Sequence, residues 1–259
     1  MKEFKLIRVS APDGFGRGEQ YGEQAAREIR MCVETYKEHL SNMKGLDWPG
    51  AREEAERYLP LATAALPMET DMLRGVARGS GVDFEDIMVL NTRYEILHYP
   101  KKECTAYAVL RNAGRDNKVF IGQNWDQRPV ITPHSIILHV TLEDGMKIMG
   151  MTEAGQLLRN GMNSSGLGMV SNGLRSSRDS DDIGIPGNFM RMRGRSSATC
   201  DDTVPGVREM VWANRVMAKS FFRSRGRVMK AGRRRLIGPR MRQATVRLAM
   251  TMSKKKTAR

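Results

Sequence analysis

Apolar positions recur every three or four residues through the first hundred residues and every second residue beyond them, with the change falling at Cys104. Residues 5–9 read as a short opening strand before the Pro12-Asp13-Gly14 turn. Residues 18–40 then read as a helix, with Ala25, Ile29, Val33, Tyr36 and Leu40 along one face. Trp48-Pro49-Gly50 breaks the chain. A second, charge-rich helix is predicted over 51–59, ending near Pro60, and a third over 68–77 after Pro67. Gly79-Ser80-Gly81 is turn chemistry. Asp83, with Asp86 three residues on, opens a fourth helix to about Leu97 with Ile87, Leu90, Tyr94 and Leu97 on one side. Pro100 ends it.

The second half is strand-like. Residues 105–110 are rich in β-formers, 112–117 are turn residues, and 119–122 return as a short apolar run, which together predict a β-hairpin. A turn centred between Gly114 and Arg115 pairs Cys104 with about Trp125 and leaves Asp126 alongside, which supports proximity but not side-chain contact, as a one-residue slip would flip the facing. Residues 135–142 form a strong strand, Glu143-Asp144-Gly145 a turn, and 147–151 its partner. Residues 162–172 hold a further turn and strand, and 175–185 a polar loop. Helices first and hairpin-linked strands after predict an α+β chain whose sheet needs a helical cover.

Composition changes the picture mainly at the C-terminal end. The 259 residues carry a net charge of +14, yet residues 191–259 hold 20 Lys and Arg against 3 Asp and Glu, leaving −3 for the first 190. The charge describes a tail, not the body. A basic helix is conceivable over 208–222, but residues 223–259 have too little apolar content for a core and are expected to stay disordered. No run approaches the roughly 18 apolar residues of a membrane span. The start Met1-Lys2-Glu3-Phe4-Lys5 opens no apolar signal region, so the cytoplasm is expected. Cys32, Cys104 and Cys200 are odd in number and far apart, which argues against a disulfide framework or a structural zinc site. Cys32, inside the first helix, reads as a small buried hydrophobe.

Cys104 admits three readings. It can be a strand cysteine of the core. It can be a papain-like thiol paired with a histidine, His134 or His139 being available downstream. Or it can be an N-terminal nucleophile, in which the peptide before it is cut and the freed α-amine, with a pKa of about 8, becomes the base for its own side chain. The third needs a nucleophile at a strand start, a separable segment before it, and a carboxylate to orient the amine. The chain offers all three.

Three runs carry a resemblance: Glu103-Cys104-Thr105-Ala106-Tyr107, Gly122-Gln123-Asn124-Trp125-Asp126, and Gly161-Met162-Asn163-Ser164-Ser165-Gly166-Leu167-Gly168 continuing to Asn172. In this order they resemble the acyl-coenzyme A:6-aminopenicillanic acid acyltransferase family, cysteine-type N-terminal-nucleophile hydrolases to which bile salt hydrolases and acid ceramidase are more distantly related. Gly81 to Asp86 and Leu90 to Glu95 look like that family's helix before the cleavage site, so the likeness covers roughly residues 14–192. It implies a four-layer αββα sandwich, made as a precursor and cut between Glu103 and Cys104. Residues 1–103 would then be a helical pro-segment that becomes the small chain, 104–192 the antiparallel sheet region, and 193–259 a basic tail. By matched position Cys104 would be the autoproteolytic and acyl-accepting nucleophile, Asp126 would hold the new amino terminus, Asn172 would be an oxyanion-hole donor, and Thr105 would assist by hydrogen bonding. The implied substrate is a small-molecule amide or acyl thioester, with no cofactor or metal, and the implied assembly is a heterodimer of the two cleaved chains.

Pro186 to Arg191 looks like the start of the family's next helix, but nothing after about Arg193 matches. The abrupt change in charge and periodicity predicts a misread or frameshifted end of a longer gene, testable by translating the other two frames. An inactive, incomplete relative is one alternative to an enzyme of amide chemistry. Another is binding of nucleic acid or an anionic surface through the tail. Beyond Arg193 the only aromatics are Trp212, Phe221 and Phe222, ahead of the most basic part, so base stacking is not expected there.

Overall fold

The computed structural model describes residues 3–97, 104–109, 119–125, 129–170, 183–189 and 246–251. Strand β1 (Lys5–Val9) is followed by five helices: α1 (Gly14–Lys44), α2 (Trp48–Glu56), α3 (Leu59–Ala65), α4 (Pro67–Ser80) and α5 (Phe84–Leu97). Seven strands come after them: β2 (Cys104–Val109), β3 (Val119–Trp125), β4 (Ser135–Thr141), β5 (Lys147–Glu153), β6 (Gly161–Asn163), β7 (Gly168–Met169) and β8 (Val246–Thr251). The chain is α+β, and the order of helices before strands is the one its periodicity predicts.

Helix α1 begins where Asp13 accepts the Gly16 N–H at 2.6 Å and ends at Gly45, whose φ of 62° lets its N–H reach the Ser41 carbonyl. It starts four residues before the predicted position because Gly14, Gly18 and Gly22 form a bare stripe against α4. A Cβ at Gly18 would overlap the Met72 carbonyl, and one at Gly75 the Phe15 carbonyl, so the two helix backbones touch directly. Gly75→Ala should therefore destabilise the protein. The gain in helix propensity of about 1 kcal/mol is outweighed by an overpacking cost of about 1–3 kcal/mol or more, because the atom met is backbone. Denaturant unfolding checks this, and a stabilised variant would contradict the close contact.

The sequence places a stop at Pro60 where the structure starts α3. Pro60 sits in the first turn of that helix, where a missing N–H costs nothing. Asp86, expected to complete the cap of α5, instead accepts from Trp48 Nε1 at 2.7 Å and Arg52 Nε at 2.6 Å, with Arg52 also reaching Asp83 at 2.8 Å. The pair docks α2 on α5.

The larger sheet has the order β1-β4-β5-β6-β7, with β1 parallel to β4 and the other neighbours antiparallel. Ile136, Leu138 and Val140 of β4 are buried in the same core as Ile29 and Val33 of α1 and Ile87 and Leu90 of α5, so helices cover one side of this sheet. The loop after β5 is threaded between them. Tyr21 Oη accepts the Gly155 N–H at 2.9 Å, and the Asn91 amide donates to the Gly155 carbonyl at 2.9 Å while accepting from Leu157 N–H at 3.0 Å. Gly155 has a φ of 85° and its α-carbon faces Leu90 and Ile29, which leaves no room for a side chain.

The smaller sheet has the order β2-β3-β8. Its hairpin has the predicted register, Cys104 opposite Trp125 and Thr105 opposite Asn124, and Tyr107 lies over its partner Gly122. Strand β8, parallel to β3 from Val119↔Val246 to Asn124↔Thr251, falls in the region expected to be without order. Val246, Leu248 and Met250 alternate with Arg247, Ala249 and Thr251, and a period of two suffices where an existing strand edge supplies the backbone partners. The predicted basic helix over 208–222 and most of the tail lie outside the described residues. No helix among the described residues is long and apolar enough to cross a membrane.

Candidate active site at the start of the hairpin

Cys104 is the first residue of β2, and its backbone pairs with Trp125, the last of β3. Thr105 is described and exposed. Glu103, Asp126 and Asn172 lie outside the described residues. The register that would bring Asp126 alongside Cys104 is present, while the strand expected to reach Asn172 is described only as Gly168–Met169.

Around Trp125 the structure gathers groups that the sequence reading did not single out. Trp125 is buried, and the Arg159 guanidinium stands 5.0 Å from its ring centroid and 4.3 Å from that of Tyr94. Arg159 Nη2 donates to Tyr94 Oη at 3.1 Å, whereas its buried Nε meets no acceptor among the described residues. Glu95, next to Tyr94 at the end of α5, accepts the Gly187 N–H at 2.9 Å with Oε1, and its buried Oε2 meets no donor among the described residues. Burial pushes the Glu95 carboxyl up, against the opposing pull of the Gly187 N–H and the Arg93 and Arg159 charges. Asn188 donates to Gln156 Oε1 at 3.4 Å, and its buried Oδ1 meets no donor among the described residues. The signal in sequence was slight: one arginine between Leu158 and Asn160 in a run bounded by Gly155 and Gly161.

Behind this rim lies a second polar group, between the helices and the larger sheet. Glu153 Oε1 accepts Arg93 Nη2 at 2.8 Å, and Oε2 accepts Tyr36 Oη at 2.7 Å and Gln156 Nε2 at 3.2 Å. Arg93 Nε also donates to Tyr36 Oη at 2.8 Å, and its guanidinium rests 4.2 Å from the Tyr94 ring centroid. Both side chains of the Arg93–Glu153 pair are 0% exposed. Arg93 and Tyr36 hold the Glu153 carboxyl below the usual carboxylate range, although burial alone would raise it.

Cys32, His134 and Glu153 bring a thiol, an imidazole nitrogen and a carboxylate oxygen within 4.8 Å of one another. That donor set suits zinc, but zinc binds thiolate, and burial together with Glu153 pushes the Cys32 thiol up. Arg93 already supplies the counter-charge. The cluster fits a closed polar core better than a metal centre. The His134 ring, one of the two that the papain-like reading of Cys104 offers, lies beside Cys32. His139 sits in β4, its backbone opposite Met149.

A cavity of about 70 Å³ lies between the starts of α1 and α4 and strands β4 and β5, lined by Met68, Met72, Leu138, Leu158 and buried Arg17 among others. Arg17 and Glu69 are the charged residues of its lining.

No protein-family model matches the chain, and no curated protein matches it in sequence.

Proposed function

We propose that this protein is an N-terminal-nucleophile hydrolase or acyltransferase that cuts itself between Glu103 and Cys104 and then acts on carbon–nitrogen bonds through a Cys104 thioester. The observation that supports the reading most is the hairpin register, with Cys104 at the strand start opposite Trp125 and the chain passing directly into Asp126. In the first step the Cys104 sulfur attacks the Glu103 carbonyl carbon and the Glu103–Cys104 C–N bond breaks as the thiol proton passes to the departing nitrogen, which frees the α-amine and leaves a thioester; water then hydrolyses that thioester to a Glu103 carboxylate and the Cys104 thiol. That amine then takes the thiol proton, and the thiolate adds to the substrate's amide carbonyl. The tetrahedral oxyanion is where a donor such as Asn172 would be worth about 3–4 kcal/mol. The leaving amine departs with the proton, and water or an acceptor amine releases the acyl group from sulfur.

Such a cut would leave two pieces held by the polar core already described. Tyr21, Tyr36, Asn91 and Arg93 would belong to the small chain, and Glu153, Gly155, Gln156 and Leu157 to the large one. Strand β1 of the small chain would also remain hydrogen-bonded along β4. The active form is thus a heterodimer of its own two chains, working in the cytoplasm on a small-molecule amide or acyl thioester, in an αββα arrangement of which the helical layer and the two sheets are parts. Intact-mass measurement of purified protein should give one fragment ending at Glu103 and one beginning at Cys104, with iodoacetamide labelling the new N-terminal residue. A single mass for the whole chain with an unreactive Cys104 would mean an inactive relative instead.

A further inference from the structure

The cavity between the starts of α1 and α4 and the larger sheet has hydrocarbon on most of its wall. Met72, Leu138, Val140, Ile148, Leu157 and Leu158 supply it, and no residue of β2 or β3 takes part. Its volume is about 70 Å³. An engineered cavity of about twice that size stays dry and takes benzene, so this one holds an aliphatic chain of roughly three or four carbons. Each methylene buried there tightens binding about fourfold.

The charges around the cavity decide which head group such a chain carries. Arg17, 1% exposed, is committed to the protein. Its Nη1 donates to the Ala11 and Pro12 carbonyls at 2.9 and 3.1 Å and lies 3.3 Å from Glu143 Oε2, while Nη2 donates to Met68 Sδ at 3.1 Å. Glu143 follows Leu142 of the lining and is half exposed. Glu69, in the first turn of α4, brings a second carboxylate to the wall and is part-buried. One positive and two negative charges leave this end of the cavity at −1. A carboxylate entering here meets two groups of its own sign and reaches Arg17 only by displacing Glu143. An ammonium group meets two carboxylates.

We propose that this cavity is a binding site for a short-chain aliphatic primary amine, with the alkyl chain against Met72, Leu138 and Leu158 and the ammonium group beside Glu69. The hydrocarbon wall supplies the affinity, and the excess of carboxylate selects the charge. The inference is independent of the Cys104 reading, since every group it uses lies on α1, α4, β4, β5 or the turn and loop that follow those two strands.

The test is titration of the purified protein, split or whole, carrying ¹³C-methyl methionine, with n-butylamine, ethylamine and n-butyrate at neutral pH and fixed ionic strength. The Met68 and Met72 methyl signals, assigned with Met68→Leu and Met72→Leu, should shift saturably with n-butylamine. Those of exposed Met31, Met43 and Met149 should stay in place. Two fewer methylenes should weaken ethylamine about tenfold, and the reversed charge should weaken butyrate about fivefold or more. Glu69→Gln should cut the advantage of n-butylamine over butyrate at least twofold. No saturable shift at Met68 and Met72, or an advantage below fivefold over either ethylamine or butyrate, overturns the proposal. So does an advantage over butyrate that Glu69→Gln leaves intact. The three-ligand comparison on the unsubstituted chain decides the matter even if the glutamine variant fails to fold.

Discussion

Glu153→Ala is expected to cost about 3–5 kcal/mol of folding stability, the largest effect of any single side chain considered, and to leave the protein largely unfolded near physiological temperature. The substitution leaves Arg93 charged at 0% exposure without its ion-pair partner at 2.8 Å, and it also removes the acceptor that orients Tyr36. Contact with the Tyr36 and Tyr94 rings cannot replace a counter-charge of full size. Glu153→Gln should lose nearly as much, since shape and some hydrogen bonding survive but the charge does not. The paired replacement Arg93→Met with Glu153→Leu should recover most of the loss, as the cost lies in an unpaired buried ion and not in the absence of a pair. Urea unfolding of all three variants checks this, and a Glu153→Ala protein within 1 kcal/mol of wild type would contradict the arrangement.

The same pair sets an acid limit. Glu153 has its folded pKa below the ordinary value of 4.5, so its contribution is complete above that value and is lost as pH falls through the lower, folded one. Glu95 works in the opposite direction. Its folded pKa is raised by burial, so its contribution is greatest in acid and declines as pH rises through the folded value. Glu95→Gln should thus flatten the upper part of the stability profile while leaving the acid limb in place.

Much of this was legible in the chain, and the reason differs from element to element. The long helix with Ala25, Ile29, Val33, Tyr36 and Leu40 on one side, and the hairpin register of Cys104 with Trp125, are local: periodicity, turn residues and loop length decide them. The start of α1 was not, because the glycine stripe that begins it is explained only by a second helix some 55 residues on, a contact that no window of sequence contains. Arg93 and Glu153 are 60 positions apart, and each alone reads as an ordinary surface charge. Their burial depends on two layers coming together. Arg159 was hidden for a related reason, since the two rings it stacks on, Tyr94 and Trp125, come from distant parts of the chain. Strand β8 shows the reverse case, six residues with adequate alternation whose fate is set by whether a strand edge is free beside them.

Cys104→Ala should yield one unbroken chain with no measurable amide turnover, a loss of at least about 10⁴-fold. The alanine removes the sulfur that would attack the Glu103 carbonyl, so neither the cut nor the α-amine that follows from it can form. Folding should change little. Cys104 stands at the end of a short hairpin, and the stability of the molecule resides in the helix–sheet core around Ile29, Leu90 and Leu138. Cys104→Ser is the more informative neighbour. A hydroxyl can still make the acyl shift, but it is the poorer nucleophile, so slow splitting over hours with little turnover is expected. Cys32→Ala supplies the control. That thiol is 0% exposed beside His134 and Glu153, and its loss should lower stability while the chain still divides at the same peptide bond. Electrophoresis and mass analysis of the three proteins separate the possibilities. Splitting that persists in Cys104→Ala, or that disappears in Cys32→Ala while its fold is retained, would move the chemistry away from the hairpin and toward the buried thiol.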